Sequence, residues 1–356
     1  MPQVGTEEER RLINQALDNN FVNEGPLTAQ FEATIAKLVG AKYAVATTSC
    51  TAGLFLALKG LGVGPGDEVL VPDMTFIATA NAVDLTGAKP ILVDVDPRTL
   101  TISLEAITGA ITQRTKAIVP VHVTGRGADM PAILSLAKKH NLLVVEDAAE
   151  ALTSKQGDRY LGTFGAAGCF SFSPNKTITT GQGGIIVTDD PELHTKLRML
   201  KDQGRPVRGT GGADRHDVIG YNFKFTDLQA AVGLGQLKLL QTRIARIKRN
   251  YELYTEELGN FEKIKIFPSR PEETPQWTDI IIEERDTLVD YLKQHDVDSR
   301  KYWFPLHRQL AYKLPDDNFT TSTRLSPQSL WLPSTFTLTD DDVREVSKLI
   351  RDWFKK

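Results

Sequence analysis

The sequence predicts an α/β fold, with a mostly parallel central sheet covered by helices on both faces and a smaller C-terminal α+β domain. Short apolar segments of strand length alternate with helical patterns through the first two thirds of the chain. The segment 142–146 is almost continuously apolar, which is typical of a strand buried on both faces. From about residue 260 prolines become more frequent and the predicted elements shorter, so we divide the chain into domains at 1–240 and 241–356.

The individual elements follow from apolar periodicity and from turn residues. Predicted strands lie at 43–47, 68–72, 89–95, 117–122, 142–146, 168–173 and 184–188. Predicted helices lie at 7–19, 27–39, 51–60, 77–85, 103–111, 131–140 and 191–201. A Gly- and Arg-rich segment, 203–217, predicts a loop. One long helix, 226–258, then leads out of the first domain, and we expect its basic residues, among them Arg243, to form a solvated face.

Composition excludes several classes of protein. The 356 residues are 41% hydrophobic and 24% charged, with a net charge of −3, so we expect no nucleic-acid partner. No apolar run reaches the roughly 20 residues that span a bilayer, and the first residues lack the features of a signal peptide. We therefore expect a cytoplasmic protein without a membrane partner. Cys50 and Cys169 are expected to be reduced thiols, and no spacing of cysteines and histidines indicates a metal site.

The most informative segment is 171–184, which places Lys176 in a Thr- and Gly-rich turn between two apolar strands. A lysine held in this way can act as a nucleophilic amine that forms a Schiff base with a carbonyl compound or with pyridoxal phosphate. The alternative is a surface lysine in a hairpin-like connection.

A second feature is the acidic end of the strand 142–146, where Glu146 and Asp147 follow the apolar run. The carboxyl end of such a strand faces the crevice in which α/β proteins bind ligands. An aspartate there can pair with the ring nitrogen of pyridoxal phosphate. Asp147 alternatively caps a following helix.

A third feature is the small-residue turn 47–51, which connects a strand to the helix 51–60. The free N–H groups and the dipole of such a helix start favour a phosphate group. An ordinary Ser- or Thr-capped helix has the same pattern, so this signal is weak on its own.

Together, in this order and spacing, the three segments resemble the DegT/DnrJ/EryC1/StrS family of nucleotide-sugar aminotransferases, and within it the perosamine-synthase-type 4-aminotransferases. The resemblance covers most of the chain, from about residue 20 to about residue 307. Further matching segments are 23–26, 66–69, 72–76, 93–96, 120–122, 146–151, 216–223 and 304–307. The resemblance implies fold type I of the pyridoxal-phosphate enzymes, the aspartate-aminotransferase-like fold. It also implies pyridoxal 5′-phosphate as the cofactor.

The resemblance assigns roles to residues around the cofactor ring. Lys176 is expected to bind the cofactor covalently and, once released, to move a proton at the reacting carbon. Asp147 is expected to pair with the ring nitrogen, and Glu150 to lie near the phenolic oxygen. Phe76 is expected to stack on the ring, with a plain core position as the alternative.

The phosphate of the cofactor is expected to meet Cys50, Thr51 and Ser171. Relatives usually have glycine where this chain has Cys50, so a backbone approach that needs glycine is in doubt there. Asn222 resembles a residue that reaches the phosphate from a neighbouring subunit. This implies a homodimer with shared active sites.

The implied substrates are L-glutamate and a nucleotide-linked 4-keto-6-deoxy sugar, aminated at C4 to give a perosamine-like sugar for a surface polysaccharide such as O-antigen. Lys224 and His307 are the candidate substrate-binding residues, although Lys224 is equally well explained as a surface residue. Amination at C3 remains an alternative, and GDP, UDP and dTDP all remain open.

Two further alternatives are less well supported. Sugar dehydratases on this fold carry histidine at the position of Lys176, and a non-catalytic regulator has no need of Lys176, Asp147 and Ser171 together.

Overall fold

The computed structural model describes residues 4–206 and 214–355, and its centre is a seven-stranded sheet. The strands of this sheet are β1 (Tyr43–Thr47), β2 (Glu68–Pro72), β3 (Lys89–Val93), β4 (Thr115–Ile118), β5 (Leu143–Asp147), β8 (Ala167–Ser171) and β9 (Gly184–Thr188). The two short strands β6 (Lys155–Gln156) and β7 (Arg159–Tyr160) form a separate hairpin.

The strand order in the sheet is β1-β9-β8-β5-β4-β2-β3. All neighbours pair in parallel except at β9, which is antiparallel to both β1 and β8. The carboxyl ends of β5 and β8 therefore lie side by side, with Asp147 opposite Cys169. This arrangement confirms the predicted mostly parallel sheet and brings two of the three candidate segments together at one edge.

Helices cover both faces of the sheet, as predicted. The helices of the first domain are α1 (Glu7–Asp18), α2 (Pro26–Val39), α3 (Cys50–Gly60), α4 (Ala78–Asp84), α5 (Leu104–Ala110), α6 (Met130–His140), α7 (Pro191–Lys201) and α8 (Asp227–Leu237). Successive strand residues point to opposite faces, so Ile185 and Val187 join one buried cluster and Ile186 joins the other. Burial on both faces explains why these strands are apolar without alternation.

A second, antiparallel sheet of four strands forms the C-terminal region, in the order β10-β11-β13-β12. Its elements are β10 (Lys265–Ile266), β11 (Asp279–Ile281), β12 (Arg300–Lys301), β13 (Ser329–Trp331), α9 (Leu240–Leu258), α10 (Arg285–Gln294), α11 (Thr320–Leu325) and α12 (Asp340–Trp353). All of these elements except β12 and α11 contribute to a separate apolar cluster, which contains Leu253, Tyr254 and Leu258 from the last turns of α9. The start of α9 packs through Leu240 into the buried cluster that contains Ile185 and Val187 of the large sheet. The domain boundary at 240 remains a prediction.

The predicted single helix 226–258 is wrong in one respect, because the chain turns at Lys238 and Leu239 between α8 and α9. The solvated basic face is also wrong for Arg243, which is buried and donates from Nη1 to the carbonyl of Thr177 at 3.0 Å. Burial follows because this face of α9 packs on the turn that carries Lys176. Part of the predicted loop 203–217, namely 207–213, lies outside the described residues.

The two sheets are joined by a buried ion pair as well as by apolar packing. The guanidinium of Arg126 donates to both carboxylate oxygens of Asp279 in β11, at 3.1 and 2.7 Å. Met74, Val121, Tyr302 and Trp331 pack together around this junction. In the described ranges, 4–206 and 214–355, no helix has the length and apolarity needed to cross a membrane.

Candidate active site

The first wall of the site is the start of α3, directly after β1. The Ser49 side chain caps this helix by accepting a hydrogen bond from the N–H of Ala52 at 3.1 Å. Gly184 in β9 packs so closely on this turn that an added Cβ would lie 2.4 Å from the backbone nitrogen of Cys50. The first N–H groups of a helix have no intrahelical acceptor, so α3 presents open donors and the positive end of its dipole here.

Asp147 is the last residue of β5, and its carboxylate is buried. The hydroxyl of Thr79 in α4 donates to Oδ2 at 2.8 Å, and the N–H of Ala149 donates to Oδ1 at 3.1 Å. Burial raises the pKa of Asp147 above its ordinary value, and the hydrogen bond from Thr79 opposes this shift. A cationic N–H placed beside this carboxylate would stabilise its ionised form.

Lys176 lies in the turn after β8, where its side chain is 11% exposed. Its Nζ donates to Oε1 of Glu150 at 3.1 Å and lies 5.0 Å from the ring centre of Trp277. The other oxygen of Glu150 accepts from the N–H of Thr124 at 2.8 Å. Glu150 is thus fixed by the backbone on one side and holds the lysine on the other.

A cavity of about 380 Å³ lies between the two sheets, bounded by the start of α3, the end of β5 and the turn after β8. Seven of the eight predicted cofactor-binding residues line it: Cys50, Thr51, Phe76, Asp147, Glu150, Ser171 and Lys176. Phe76 is 56% exposed, so its ring is open to a ligand and is not part of the packed core. The hydroxyl of Ser171 lies 3.1 Å from that of Ser173, at the end of β8.

Both cysteines are free and buried, as predicted. Burial raises the pKa of both the Cys50 and the Cys169 thiols well above their ordinary value. Cys50 therefore meets the cavity as a neutral thiol, which is compatible with an anionic ligand at the start of α3.

The C-terminal region supplies the opposite wall, from residues to which the sequence analysis gave no role in cofactor binding. Trp277, Arg300, Trp303 and Trp331 line the cavity. Trp331 is in ring contact with both Trp277 and Trp303, at 4.9 Å between ring centres. The guanidinium of Arg300 lies over Trp331, 5.2 Å from its ring centre.

Two predicted residues lie elsewhere. Asn222 is exposed and forms an isolated bridge with Asp202. Lys224 donates to Oδ1 of Asp202 at 2.7 Å and lines a separate surface hollow with Asn23, Glu24 and Arg205. Neither is among the described residues that line the cavity of the same chain.

His307 is also outside the cavity lining, and its side chain is 0% exposed. Its Nδ1 lies 2.7 Å from a carboxylate oxygen of Asp73, its Nε2 lies 3.0 Å from Asp316, and its ring stacks on Phe319. Because the whole imidazole is enclosed, the predicted substrate contact of His307 is unsupported in this arrangement. The residue instead ties the segment 304–316 to the end of β2.

His122 shows how a histidine at a strand end can be purely structural. Its Nε2 lies 2.9 Å from the Glu146 carboxylate, and its Nδ1 accepts from the N–H of Ala128 at 3.2 Å. The sequence analysis gave His122 no role in the chemistry, and this placement agrees with that.

The sequence analysis missed Thr79, Arg300, Trp277 and Trp331. Thr79 is separated from Asp147 by 68 positions in the chain, and Arg300 lies in a two-residue strand. Nothing in the local sequence of either residue marks a site, since the strand order places Thr79 beside Asp147 and the packing of the second sheet brings Arg300 to the cavity.

Comparison with known proteins agrees with this geometry. The family model of the DegT/DnrJ/EryC1/StrS aminotransferases matches residues 3–351. The spore coat polysaccharide biosynthesis protein SpsC of Bacillus subtilis (strain 168) is 36% identical over 381 residues, covering 100% of this chain and 96% of SpsC. GDP-perosamine synthase of Escherichia coli O157:H7 is 35% identical over 353 residues, covering 98% of this chain and 96% of that enzyme.

Among solved structures, DesV of S. venezuelae, in complex with a ketimine intermediate, superimposes with a TM-score of 0.93 at 32% identity and 100% coverage of both chains. Fold and site therefore define an aminotransferase that uses pyridoxal phosphate. The chain belongs to the DegT/DnrJ/EryC1/StrS aminotransferase family.

The residues present fit this cofactor. The open start of α3, with the hydroxyls of Thr51 and Ser171, suits a phosphate group. Asp147 is a buried carboxylate whose pKa is raised by burial, and a protonated ring nitrogen beside it would stabilise its ionised form. Lys176 has a primary amine at the cavity wall, 3.1 Å from Glu150.

Proposed function

We propose that this protein transfers the amino group of L-glutamate to the keto carbon, at C4, of a nucleotide-linked 4-keto-6-deoxy sugar. The single observation that carries the proposal is the arrangement of Lys176, Glu150 and Asp147 around one cavity. Similarity over nearly the whole chain to a GDP-perosamine synthase supports the sugar substrate. Similarity to SpsC supports a product used in a polysaccharide.

When bound, pyridoxal phosphate supplies a carbonyl group that takes up the amine and a ring that withdraws electrons from the reacting carbon. Lys176 holds this group and, when its amine is free, moves the proton at the reacting carbon. Glu150 accepts a hydrogen bond from the amine and keeps it directed into the cavity. The negative carboxylate of Asp147 keeps the ring nitrogen protonated. Hydrogen bonds from Thr79 and from the N–H of Ala149 hold this carboxylate in place.

Cys50, Thr51 and Ser171 are the proposed phosphate contacts, and Phe76 is the proposed stacking partner of the ring. All four line the cavity, which supports these roles. The wall of tryptophans on the other side limits access of water to the reacting atoms.

A homodimer with shared active sites is part of the proposal. Asn222 and Lys224 lie on a surface separate from the cavity of their own chain. An exposed apolar side chain, Ile219, lies three residues before Asn222 and is 85% exposed. Both observations support contact of this segment with a second copy, where Asn222 would meet the cofactor phosphate and Lys224 a phosphate of the sugar nucleotide.

The proposal is tested by the visible absorption spectrum of the purified, cofactor-loaded protein. Addition of L-glutamate should remove the band of the Lys176-bound cofactor, and a nucleotide 4-keto-6-deoxy sugar should then restore it. Separate trials with GDP-, UDP- and dTDP-linked sugars identify the nucleotide, and the product's amino position, determined by NMR, separates C4 from C3. A band that glutamate leaves unchanged contradicts the proposed donor.

A further inference from the structure

Four charged side chains line the cavity in the part of the chain that the structure describes: Asp147, Glu150, Lys176 and Arg300. Lys176 and Glu150 form an ion pair at 3.1 Å, and Asp147 is the proposed partner of the ring nitrogen. Arg300 forms no ion pair and no side-chain hydrogen bond with a described residue, although it lies at the cavity wall and is exposed. It is therefore the cation that the chemistry of the cofactor leaves unused.

The guanidinium of Arg300 is held in place without being neutralised. Arg300 pairs with Trp331 across β12 and β13, and its guanidinium lies over the Trp331 ring at 5.2 Å. Trp331 is itself buried and fixed by contacts with Trp277 and Trp303. Stacking on an aromatic ring orients the guanidinium and leaves its N–H fork free for a planar carboxylate.

We propose that Arg300 binds a carboxylate of the amino donor during the first half of the reaction, an inference that rests on the proposed function. The α-carboxylate of an amino acid is attached to the same carbon as the reacting amine. It has to be bound in the same small cavity as Lys176, and among the described residues that line this cavity Arg300 is the remaining cation. The phosphates of a nucleotide sugar are attached across the sugar ring from C4, so they lie farther from Lys176.

The neighbouring residue provides a matched control. Lys301 is also a cation in β12, but its Nζ is paired with Asp286 at 2.9 Å and it is not among the described residues that line the cavity. Lys301→Gln removes the same charge from the same strand without touching the site. Arg300→Lys keeps the charge and loses the planar fork, so it separates charge from bidentate geometry.

The experiment measures the two half-reactions of the cofactor-loaded protein separately. L-glutamate is added in increasing concentration and the loss of the visible band is measured. The nucleotide keto-sugar is then added in the same way and the return of the band is measured. Arg300→Gln should raise the half-saturating glutamate concentration about tenfold to a hundredfold, the loss expected for a hydrogen bond to a charged group. The half-saturating glutamate concentration of Arg300→Lys should lie between those of the wild type and Arg300→Gln. That of Lys301→Gln should match the wild type. The sugar step should change less than about twofold in all three.

A second titration uses 2-oxoglutarate, the keto product of the donor, with tryptophan fluorescence as the readout. Three of the four tryptophans, Trp277, Trp303 and Trp331, line the cavity and report on its occupancy. Binding should weaken in Arg300→Gln by the same factor as for glutamate. Unchanged thermal unfolding of the variant would show that it folds.

The outcomes separate the two proposals. Equal glutamate and 2-oxoglutarate binding by the wild type and Arg300→Gln overturns the role of Arg300 alone. If Arg300→Gln weakens only the half-reaction with the nucleotide keto-sugar, the role of Arg300 in donor binding is also overturned. The residue would then be assigned to a phosphate of the nucleotide sugar. A wild type that does not react with glutamate contradicts the proposed function. The 2-oxoglutarate titration then still decides on Arg300, because absence of binding to the wild type overturns its role.

Discussion

The two walls of the cavity differ in composition and in the way they are built. The wall from the seven-stranded sheet is polar, and its side chains are fixed by hydrogen bonds to backbone groups and to each other, as Asp147 is by Ala149 and Thr79. The wall from the C-terminal sheet is aromatic, and its side chains are fixed by ring contacts around Trp331. Under the proposed function, the first wall would perform the chemistry common to both half-reactions, and the second would recognise the individual substrates.

Replacement of Lys176 should have the largest effect, since both half-reactions need its amine. Lys176→Ala should lower turnover by more than about 10⁴-fold while the protein stays folded. Turnover is measured in the coupled reaction, and folding by thermal unfolding. Lys196, exposed on α7, is the control position, and Lys196→Ala should be fully active. Substantial residual turnover in Lys176→Ala would remove the basis for assigning chemistry to this wall.

Asp147→Asn should have the next largest effect, because an amide does not hold the ring nitrogen protonated. We expect a loss of about a hundredfold or more in the rates of both half-reactions. Single-turnover measurements with glutamate and with the keto-sugar would show this. Loss in only one of them would mean that the partner of the ring nitrogen lies elsewhere, and the proposed division between the walls would fail.

A smaller effect, with a specific pH dependence, is expected at Thr79. Because burial raises the pKa of Asp147, its carboxylate becomes protonated as the pH falls through this raised value, and cofactor affinity should fall with it. Thr79 donates to the ionised form at 2.8 Å and lowers this pKa. Thr79→Val should therefore shift the loss of cofactor affinity to higher pH and weaken binding about tenfold at neutral pH.

Equilibrium titration of the apoprotein with pyridoxal phosphate across a pH series tests this expectation. Thr108→Val is the matched control, because Thr108 is exposed on α5 and its hydroxyl donates to the carbonyl of Leu104 in its own helix. An identical pH profile for Thr79→Val and the wild type would show that Thr79 does not act through Asp147.

The smallest effect is expected on the aromatic wall. Trp303→Ala removes a ring contact worth about 0.5–1.5 kcal/mol, so the KM of one substrate should rise by about twofold to tenfold. The cofactor band and the rate at saturating substrate should remain as in the wild type. An equal rise in KM for both substrates would contradict the proposed difference between the two walls. A rise confined to one substrate would identify the one that Trp303 contacts.

The polar wall could largely be predicted from the sequence because its residues lie at the ends of strands. A buried parallel strand reads as an apolar run, and whatever polar residue follows the run lies at the carboxyl edge of the sheet. Asp147, the turn 47–51 and Lys176 were located in this way, whereas the roles of Ser171 and Glu150 came from the resemblance to the family; all of these segments contribute to the cavity. The order of the segments further indicated the family to which the chain belongs.

Two other predictions depended on packing: the one for Arg243 is wrong, and the one for His307 is left without support. A basic residue in a helical pattern is predicted to be exposed to solvent. Arg243 is instead buried against the turn that carries Lys176, where it donates a hydrogen bond to the carbonyl of Thr177. His307 follows a segment that resembles a sugar site, but its imidazole is enclosed by Asp73, Asp316 and Phe319. In neither case does the local sequence contain the partners, which come from distant parts of the chain.

By itself, then, the sequence determined the α/β class, the approximate positions of the strands in the large sheet and the polar residues at its edge, because apolar periodicity and strand ends are local properties. Only the tertiary structure decided which residues close the cavity. Trp277, Arg300 and Trp331 come to it from separate parts of the C-terminal region, and Thr79 reaches Asp147 from α4. Their position depends on strand order and on the docking of one sheet on the other through Arg126 and Asp279, and these are long-range contacts that no local pattern encodes.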